Sequence, residues 1–191
     1  MCQSHSSRVC LATRSDRLID ADALVTTDTH LALCVKTADC LPILMYDSAH
    51  HVVAAIHAGW KGITNQIIEN TIDEMVKHGA MTADLHAQIG PHIGSCCYEI
   101  HGPRAEHFEK SFANHPEIFH HRNSRAYLDL ARCAQIQLMQ RGIQPKHIAL
   151  SSVCTSCSPD QHPSYHRDQS YTDTMISTIW IDDKKSPVRV S

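Results

Sequence analysis

The amino-acid sequence predicts a domain that combines β-strands with α-helices. Short apolar runs bounded by polar residues, glycine or proline predict strands, and apolar residues spaced three and four positions apart predict amphipathic helices. The chain has 191 residues, of which 42% are hydrophobic and 19% charged. This length and composition predict one globular domain over residues 1–191 with a substantial core.

The apolar runs predict strands at residues 23–26, 31–35, 41–46, 52–56, 85–89, 148–153 and 176–181. Helices are predicted at 63–78, where Gly79 is a plausible C-cap, at 103–113, and at 128–141, which Gly142 closes. Two glycines and a proline predict a loop at 90–99. Residues 115–125 are polar and predicted to be irregular, and residues 184–187 are predicted to form a frayed tail.

The composition excludes several classes of function. A formal net charge of −3 without a run of Lys or Arg argues against nucleic-acid binding. No apolar stretch approaches the roughly 18 residues that a membrane span needs. The odd number of cysteines, nine, argues against a complete disulfide framework, and the first residues do not resemble a signal peptide. We therefore expect a cytoplasmic protein that acts on a small molecule.

His57 is the first candidate for a catalytic residue. It follows the apolar run 52–56 and opens the segment His-Ala-Gly-Trp-Lys-Gly at 57–62. The end of a buried strand at a tight turn directs a side chain into a crevice, and the start of a helix adds a positive backbone field. An isolated histidine in this position is more often structural, so the functional interpretation needs further donors.

The numbers of cysteines and histidines, nine and sixteen, favour a metal such as zinc or copper. Three regions carry candidate ligands, namely His57, the pair Cys96 and Cys97, and the later histidines His101, His107 and His115. Two imidazoles and one thiolate with an open fourth position would form a catalytic zinc site. Ordinary buried thiols are the alternative.

Other candidate residues leave alternatives open. Cys154 and Cys157 form Cys-x-x-Cys, which suits half of a zinc site, a redox pair or packed thiols, and packed thiols are favoured because a second Cys-x-x-Cys is absent. A carboxylate raises the pKa of a thiol beside it, so the pair Asp39-Cys40 does not suggest a nucleophilic cysteine. Asp39 is better interpreted as a hydrogen-bond acceptor or proton carrier. Arg167 suits either an anion contact or an ion pair with Asp168.

Together the motifs resemble the multicopper polyphenol oxidase (laccase) domain family, of the purine nucleoside phosphorylase type. The matching segments cover nearly the whole chain, and they are residues 22–26, 37–42, 57–62, 89–99, 128–130, 154–155 and 164–168. The resemblance implies an α+β fold of mixed β-sheets flanked by helices, like that of putative cysteine hydrolases. It also implies a single zinc ion held by two histidines and one cysteine.

The implied activities are phosphorolysis of adenosine, inosine, guanosine or methylthioadenosine and hydrolytic deamination of adenosine to inosine. Purine nucleoside and phosphate are then the partners, and the protein is a monomer or homodimer. A copper-dependent polyphenol oxidase is one alternative, although one mononuclear site lacks the ligands of a multicopper cluster. A non-catalytic, truncated zinc-binding relative is another, because the family has a further segment before the position of residues 3–6.

The resemblance assigns roles to individual residues. His57 and Cys97, or Cys96 in a shifted register, are implied as zinc ligands. His115 is our choice for the third ligand, with His120 and His121 as alternatives.

The resemblance also places substrate-handling groups. His5 matches the histidine of a Gln-Val-His-Gly motif and is expected to line the pocket. In the mechanism that we expect, a zinc-activated water attacks adenine, Asp39 or His5 carries protons, and Lys61 or Arg167 contacts the phosphate.

Overall fold

The computed structural model of the chain describes residues 1–15, 19–170, 172–182 and 188–190. Its strands are β1 Val9–Leu11, β2 Ala23–Thr26, β3 Leu33–Thr37, β4 Leu41–Asp47, β5 Val52–Ala58, β6 His86–Ile89, β7 Glu99–Ile100, β8 Phe119–Arg122, β9 Arg125–Leu128, β10 Ile148–Leu150, β11 Met175–Ile181 and β12 Val188–Val190. Its helices are α1 Trp60–Thr64, α2 Ile67–Lys77, α3 Pro103–Ser111, α4 Leu130–Gln140 and α5 Tyr165–Asp168.

A six-stranded mixed sheet forms the centre of the fold, with the strand order β1-β2-β5-β4-β6-β10. Its middle is the antiparallel hairpin β4–β5, and its outer pairs β1–β2 and β6–β10 are parallel. Two antiparallel sheets accompany it, ordered β12-β11-β3 and β7-β9-β8. Mixed sheets with flanking helices confirm the α+β class that the sequence predicts.

The two faces of the central sheet pack against different layers because side chains alternate along a strand. From β5, Val52, Ala54, Ile56 and Ala58 join the core shared with the helices, which includes residues of α2 and α4. The intervening residues Val53 and Ala55 join a second core with β3 and β11. By this alternation the side chain of His57 lies on the same face of β5 as Val53 and Ala55, the face that packs against the sheet β12-β11-β3.

Two predicted segments differ from the structure. The predicted helix at 63–78 is divided into α1 and α2, because Gln66 adopts a left-handed conformation with φ 64°. Residues 115–125 are not irregular, since they contain a 3₁₀ turn, Pro116–Ile118, and the strand β8. Asn123 and Ser124 both have positive φ, the geometry of a two-residue hairpin turn that connects β8 to β9.

The remaining predicted elements agree with the structure to within a few residues at their ends. The second predicted strand begins and ends two residues later, as β3, and the predicted strand at 148–153 ends early, as β10. The strands β1, β7, β9 and β12 and the short helix α5 were not predicted. The predicted tail at 184–187 lies outside the described residues. No helix in the described part of the chain is long and apolar enough to cross a bilayer.

Candidate metal centre and cavity

Three distant segments bring His5, Cys40 and His57 together. In the β4–β5 hairpin Pro42 pairs with His57, so Cys40, just before β4, lies beside the end of β5. The N-terminal segment reaches the same place because the side chain of Gln3 exchanges two hydrogen bonds with the backbone of Lys36 on β3. The three donors therefore meet where the hairpin opens.

The geometry of these donors fits one metal ion. One ligand atom from each of His5, Cys40 and His57 lies within 4.8 Å of the others. The Nε2 atom of His5 is 3.9 Å from Sγ of Cys40, and the two imidazole centroids are 4.7 Å apart. Tetrahedral zinc, with its known Zn–N and Zn–S bond lengths, would place such a nitrogen and sulfur about 3.6 Å apart. A small inward shift would therefore complete the coordination.

Gly59 allows this close approach. A Cβ atom at that position would lie 2.9 Å from Sγ of Cys40 and 3.1 Å from Cδ2 of His5. Carbon and sulfur do not approach that closely without displacement, so any larger residue would push the two donors apart. The glycine of the His-Ala-Gly-Trp segment is thus explained by the site itself.

Asp22 orders the donors from behind. Its buried carboxylate accepts a 2.8 Å hydrogen bond from Nδ1 of His57 and further bonds from the backbone of Ser4, His5 and Ser6. Burial opposes its ionisation, but the hydrogen bonds from His57, Ser6 and Ser4 outweigh burial and hold the pKa of Asp22 below its usual range. Because Nδ1 of His57 donates to Asp22, Nε2 is left to bind a metal.

The pKa shifts of the other two donors act on metal binding in opposite directions. Burial and the nearby His57 lower the pKa of His5, which favours the neutral imidazole that can act as a ligand. Burial and the charges of Asp39 and Asp22 raise the pKa of Cys40 to about 12, so its thiol is neutral when no cation is bound. Cys40 is therefore not an activated nucleophile, and a metal ion that binds there must displace the proton of its thiol.

The three donors lie in the wall of a cavity of about 570 Å³. This volume suits a ligand of nucleoside size. Both apolar or aromatic and charged or polar side chains line it, and among them are Trp60, Ile93, Tyr98, Leu130, Tyr165, His166, Lys36 and Arg104. The cavity therefore offers both flat apolar surface and positive charge.

Arg104 and Tyr98 supply polar groups beside the apolar wall. The guanidinium carbon of Arg104, at the start of α3, lies 4.8 Å from the centroid of the Trp60 ring. Burial raises the pKa of Tyr98 to about 12, partly offset by Arg104, so its phenol remains neutral and able to donate. A cation stacked on an aromatic ring keeps its charge available to a ligand.

Asp39 lines the cavity, but its carboxylate is already engaged. Its Oδ1 accepts a 2.6 Å hydrogen bond from Oγ1 of Thr155, and its Oδ2 accepts one of 2.6 Å from the backbone N–H of His166. Asp39 therefore connects the β3–β4 turn to the loop that contains Thr155 and to the helix α5. This arrangement favours a positioning role over the proton transfer that the sequence suggests.

The structure does not assemble the predicted ligand set of His57, Cys97 and His115. The thiol of Cys97 lies 3.3 Å from that of Cys157, in a separate group of cysteines. Nδ1 of His115 is 3.2 Å from a carboxylate oxygen of Glu117 on the surface. Among the described residues, no group of metal-capable donors within 4.8 Å of one another joins His57 with Cys97 or His115.

The physical reason is the path of the loop after β6. His92 forms a bridge with Cys154, and this anchors the loop to the segment after β10 and directs its cysteines there. The alternative ligands are also placed elsewhere. Nε2 of His120 is 4.0 Å from Asp129, and His121 is exposed on β8.

The two predicted anion contacts lie outside the lining of this cavity. Lys61 is exposed, with Nζ 5.6 Å from the Trp60 ring centroid. Arg167 donates to the backbone oxygens of Thr155 and His162 and forms an ion pair with Asp168, so it fastens a loop. The structure therefore does not bring these two residues to this cavity, and their contact with phosphate stays a prediction.

Sequence reasoning missed Cys40 as a candidate ligand and Lys36 and Arg104 as cations that line the cavity. The spacing from His5 to Cys40 is 35 residues, too long for a local ligand motif. The register of the hairpin formed by the two predicted strands around Asp47 could have revealed that Cys40 lies near His57. The sequence offers no comparable signal for Arg104, because α3 approaches α1 only in the folded chain.

Comparison with known proteins places this site in a family. A purine nucleoside phosphorylase of Clostridium acetobutylicum is 34% identical over 180 residues, which are 93% of this chain and 74% of that protein. The adenosine deaminase RL5 of an unknown prokaryotic organism is 31% identical over 175 residues, 85% of this chain and 66% of that protein. Relatives that carry these names are purine nucleoside enzymes.

Solved structures agree. The crystal structure of the hypothetical protein YfiH of Bacillus licheniformis matches with a TM-score of 0.83 and 32% identity, over 92% of this chain and 71% of that one. The sequence profile described as multi-copper polyphenol oxidoreductase laccase matches residues 1–182. The chain belongs to this multi-copper polyphenol oxidoreductase laccase family.

Proposed function

We propose that the chain is a zinc-dependent purine nucleoside enzyme. It carries out phosphorolysis of adenosine, inosine, guanosine or methylthioadenosine and hydrolytic deamination of adenosine. The observation that carries the proposal is the grouping of His5, Cys40 and His57 in the wall of a nucleoside-sized cavity that also contains aromatic and cationic side chains. The names of the relatives support the substrate class.

His5, Cys40 and His57 would hold the zinc ion. Two imidazoles and one thiolate are three protein ligands, the number that leaves a fourth position open in catalytic zinc sites. When bound, zinc supplies Lewis acidity and lowers the pKa of water. Copper also accepts these ligand types, but the described residues of the cavity offer this single His/Cys group, whereas a multicopper cluster needs more donors.

The apolar wall would bind the purine ring. The half-buried ring of Trp60 and the buried side chains of Ile93 and Leu130 provide apolar surface for a base, and the neutral phenol of Tyr98 can donate to a ring nitrogen. Asp22 holds the His57 ring, and Asp39 holds the adjoining loops. These contacts orient the nucleoside relative to the donors.

In phosphorolysis a phosphate oxygen attacks C1′ of the ribose, the bond from C1′ to N9 breaks, and its electron pair goes to the purine, which takes up a proton. Arg104 and Lys36 are the cations of the cavity and would bind the phosphate. His166 is the lining imidazole outside the three-donor group and is our candidate for the proton donor.

In deamination a water oxygen adds to C6 of adenosine and the bond from C6 to the amino nitrogen breaks. One proton of the water ends on the amino group, which leaves as ammonia, the other ends on N1 of the purine, and the product is inosine. The imidazole of His166 can also carry the proton to the amino group, because each reaction protonates its leaving group: the purine in phosphorolysis and the amino group in deamination.

The test is product analysis of zinc-loaded protein incubated with adenosine, with and without phosphate. We expect adenine and ribose 1-phosphate only when phosphate is present, and inosine with ammonia in either case. Cys40→Ala should lose both activities while its circular dichroism stays that of a folded protein. Cys34→Ser, which alters an exposed thiol on β3, should keep them.

Other outcomes would reject the proposal. A folded, zinc-replete wild type that forms none of these products would be a non-catalytic zinc-binding relative. Oxygen uptake with phenols by copper-loaded protein, without nucleoside turnover, would identify an oxidase. We also propose a cytoplasmic location, because nine free cysteines are stable as thiols in a reducing compartment.

A further inference from the structure

We propose that Cys96, Cys97, Cys154 and Cys157 bind a second zinc ion, in a structural site made of four thiolates. The group lies outside the three donors of the cavity wall. One sulfur from each cysteine lies within 4.8 Å of the others. The adjacent pair Cys96 and Cys97 thus supplies the second half-site that the Cys-x-x-Cys segment needs.

The fold brings the two cysteine pairs to one place. The pairs lie in the loops that follow β6 and β10, which are parallel neighbours at the end of the central sheet. Parallel neighbouring strands end at the same edge, so their following loops meet there. The backbone N–H of His92 donates to Val153, and that of Thr155 donates to His92, which ties the loops together.

The distances between sulfur atoms favour one tetrahedral metal ion. The Sγ atom of Cys157 lies 3.6 Å from that of Cys96 and 3.3 Å from that of Cys97. With a Zn–S bond of about 2.3 Å, the sulfurs of a tetrahedral site lie about 3.8 Å apart. A disulfide would require about 2.05 Å. An iron–sulfur cluster spreads its cysteines over several irons and would separate them further.

The surrounding backbone suits a negatively charged group of thiolates. The N–H of Gly94 points at Sγ of Cys154 from 3.3 Å, a contact that favours the thiolate. The guanidinium of Arg122 donates to the carbonyl oxygens of Cys96 and Ser95, which places a positive charge beside the loop. Zinc with four thiolates carries net negative charge, and these groups offset part of it.

Gly94 also leaves the space that the four sulfurs use. A Cβ atom there would lie 3.3 Å from Sγ of Cys96 and 3.4 Å from Cβ of Cys154. Its lack of a side chain lets the first loop close over the second. This close approach is the same device that Gly59 provides at the cavity.

The second site would stiffen one wall of the cavity. Thr155, between the two cysteines of the later loop, is buried and donates to Asp39. Tyr98, directly after Cys97, lines the cavity. A metal ion that joins the loops would hold these two contacts in place without touching the substrate.

The experiment counts zinc in a background that lacks the cavity site. Cys40→Ala should retain one zinc ion per chain, and Cys40→Ala combined with Cys154→Ser and Cys157→Ser should retain none, by elemental analysis of protein purified without a His-tag. Cys40→Ala combined with Cys34→Ser is the matched control, because it also removes an exposed thiol, and should keep its zinc. Nucleoside turnover does not enter this measurement.

Cobalt(II) gives a second readout that does not depend on the cysteine variants folding well. Cobalt-loaded Cys40→Ala should show the intense sulfur-to-metal charge transfer of a tetrahedral thiolate site. Thiol titration of this protein should find four fewer reactive thiols with zinc than after chelation. The proposal would be overturned if Cys40→Ala, after incubation with excess zinc, binds no zinc and keeps all of its thiols reactive. A disulfide within the group, seen as a mass loss of two hydrogens under reducing purification, would also overturn it.

Discussion

At the scale of single residues, Asp22 has the largest influence on the candidate metal site. Its carboxylate is fully buried and accepts hydrogen bonds from the His57 ring and from the segment that carries His5. One side chain thereby positions two of the three ligands. A carboxylate behind a ligating histidine fixes the ring and increases its basicity, and its loss weakens metal binding.

Asp22→Asn should weaken zinc affinity about 10- to 100-fold. An amide keeps one acceptor oxygen. If that oxygen faces the His5 N–H and the His57 ring, the N–H₂ group faces the Ser6 N–H, so the loop that carries His5 loses an acceptor and the His57 ring loses the charge of the carboxylate. Competition with a chromophoric chelator measures the affinity. Asp20→Asn is the matched control, because the carboxylate of Asp20 is exposed and pairs with Arg8 on the surface. Equal zinc affinity in the two variants would show that Asp22 does not support the ligands.

Gly59→Ala tests the close packing of the donors. The added methyl group would lie 2.9 Å from Sγ of Cys40, so the thiol and the His5 ring must separate. We expect loss of zinc from the cavity site at metal concentrations that saturate the wild type, with most of the stability kept. Metal analysis combined with thermal unfolding measures both.

Gly79→Ala is the control for a general effect of adding a methyl group. Gly79 has φ 100° and no heavy atom within 4 Å of a built Cβ, so the substitution strains the backbone without crowding a neighbour. It should lower stability by about 1 kcal/mol and leave zinc binding unchanged. If Gly59→Ala binds zinc as tightly as Gly79→Ala, the proposed arrangement of ligands is wrong.

At the scale of elements, the β4–β5 hairpin determines the site, and its turn depends on Asp47. The buried carboxylate accepts from the backbone N–H groups of Ala49, His50 and Met81 and contacts the His50 ring. Burial opposes ionisation, but the bonds from Met81 and His50 prevail and lower the pKa of Asp47. The turn thereby holds the register that places Cys40 beside His57.

Asp47→Ala should lower the free energy of unfolding by roughly 3 kcal/mol near neutral pH, since buried N–H donors lose a charged acceptor. A carboxyl with a lowered pKa contributes stability above its ordinary value of 3.8 and loses it as the pH falls through the folded-state value. The difference between wild type and variant should therefore shrink below that pH. Urea unfolding at several pH values measures it, with Asp20→Ala, at an exposed carboxylate on the surface, as control.

The same hairpin shows how far the sequence determines the site. Strand positions, the helix boundaries of α3 and α4 and the importance of His57 follow from apolar periodicity and turn residues, because these are local signals. The candidate ligands that accompany His57 do not follow from local signals. Cys40 reaches His57 through the pairing of β4 with β5, and His5 reaches it through the hydrogen bonds between Gln3 and Lys36 on β3. Cys97 and Cys40 both lie in loops near strand ends, and the pairing of β6 with β10 places the loop of Cys97 beside Cys154 and Cys157.

At the scale of the whole molecule, the cavity forms where the layers meet. Cys40 and His57 come from the hairpin of the central sheet, Lys36 from the small sheet, and Trp60 and Arg104 from two helices. Metal donors and cations therefore approach a ligand from different layers. This separation predicts that one group of residues can be altered without losing the function of the other.

Arg104→Met should raise the KM for phosphate in phosphorolysis about 10- to 100-fold, because a charged hydrogen-bond donor to the anion is lost while a side chain of similar length still covers Trp60. Deamination of adenosine uses no phosphate, so its kcat and KM should change little. Steady-state kinetics of both reactions on one preparation provide the comparison. The matched control is Arg132→Met on α4, because it removes an ion pair with Glu117 at the surface. Equal losses in the two reactions would mean that Arg104 supports the shape of the cavity and not the binding of phosphate.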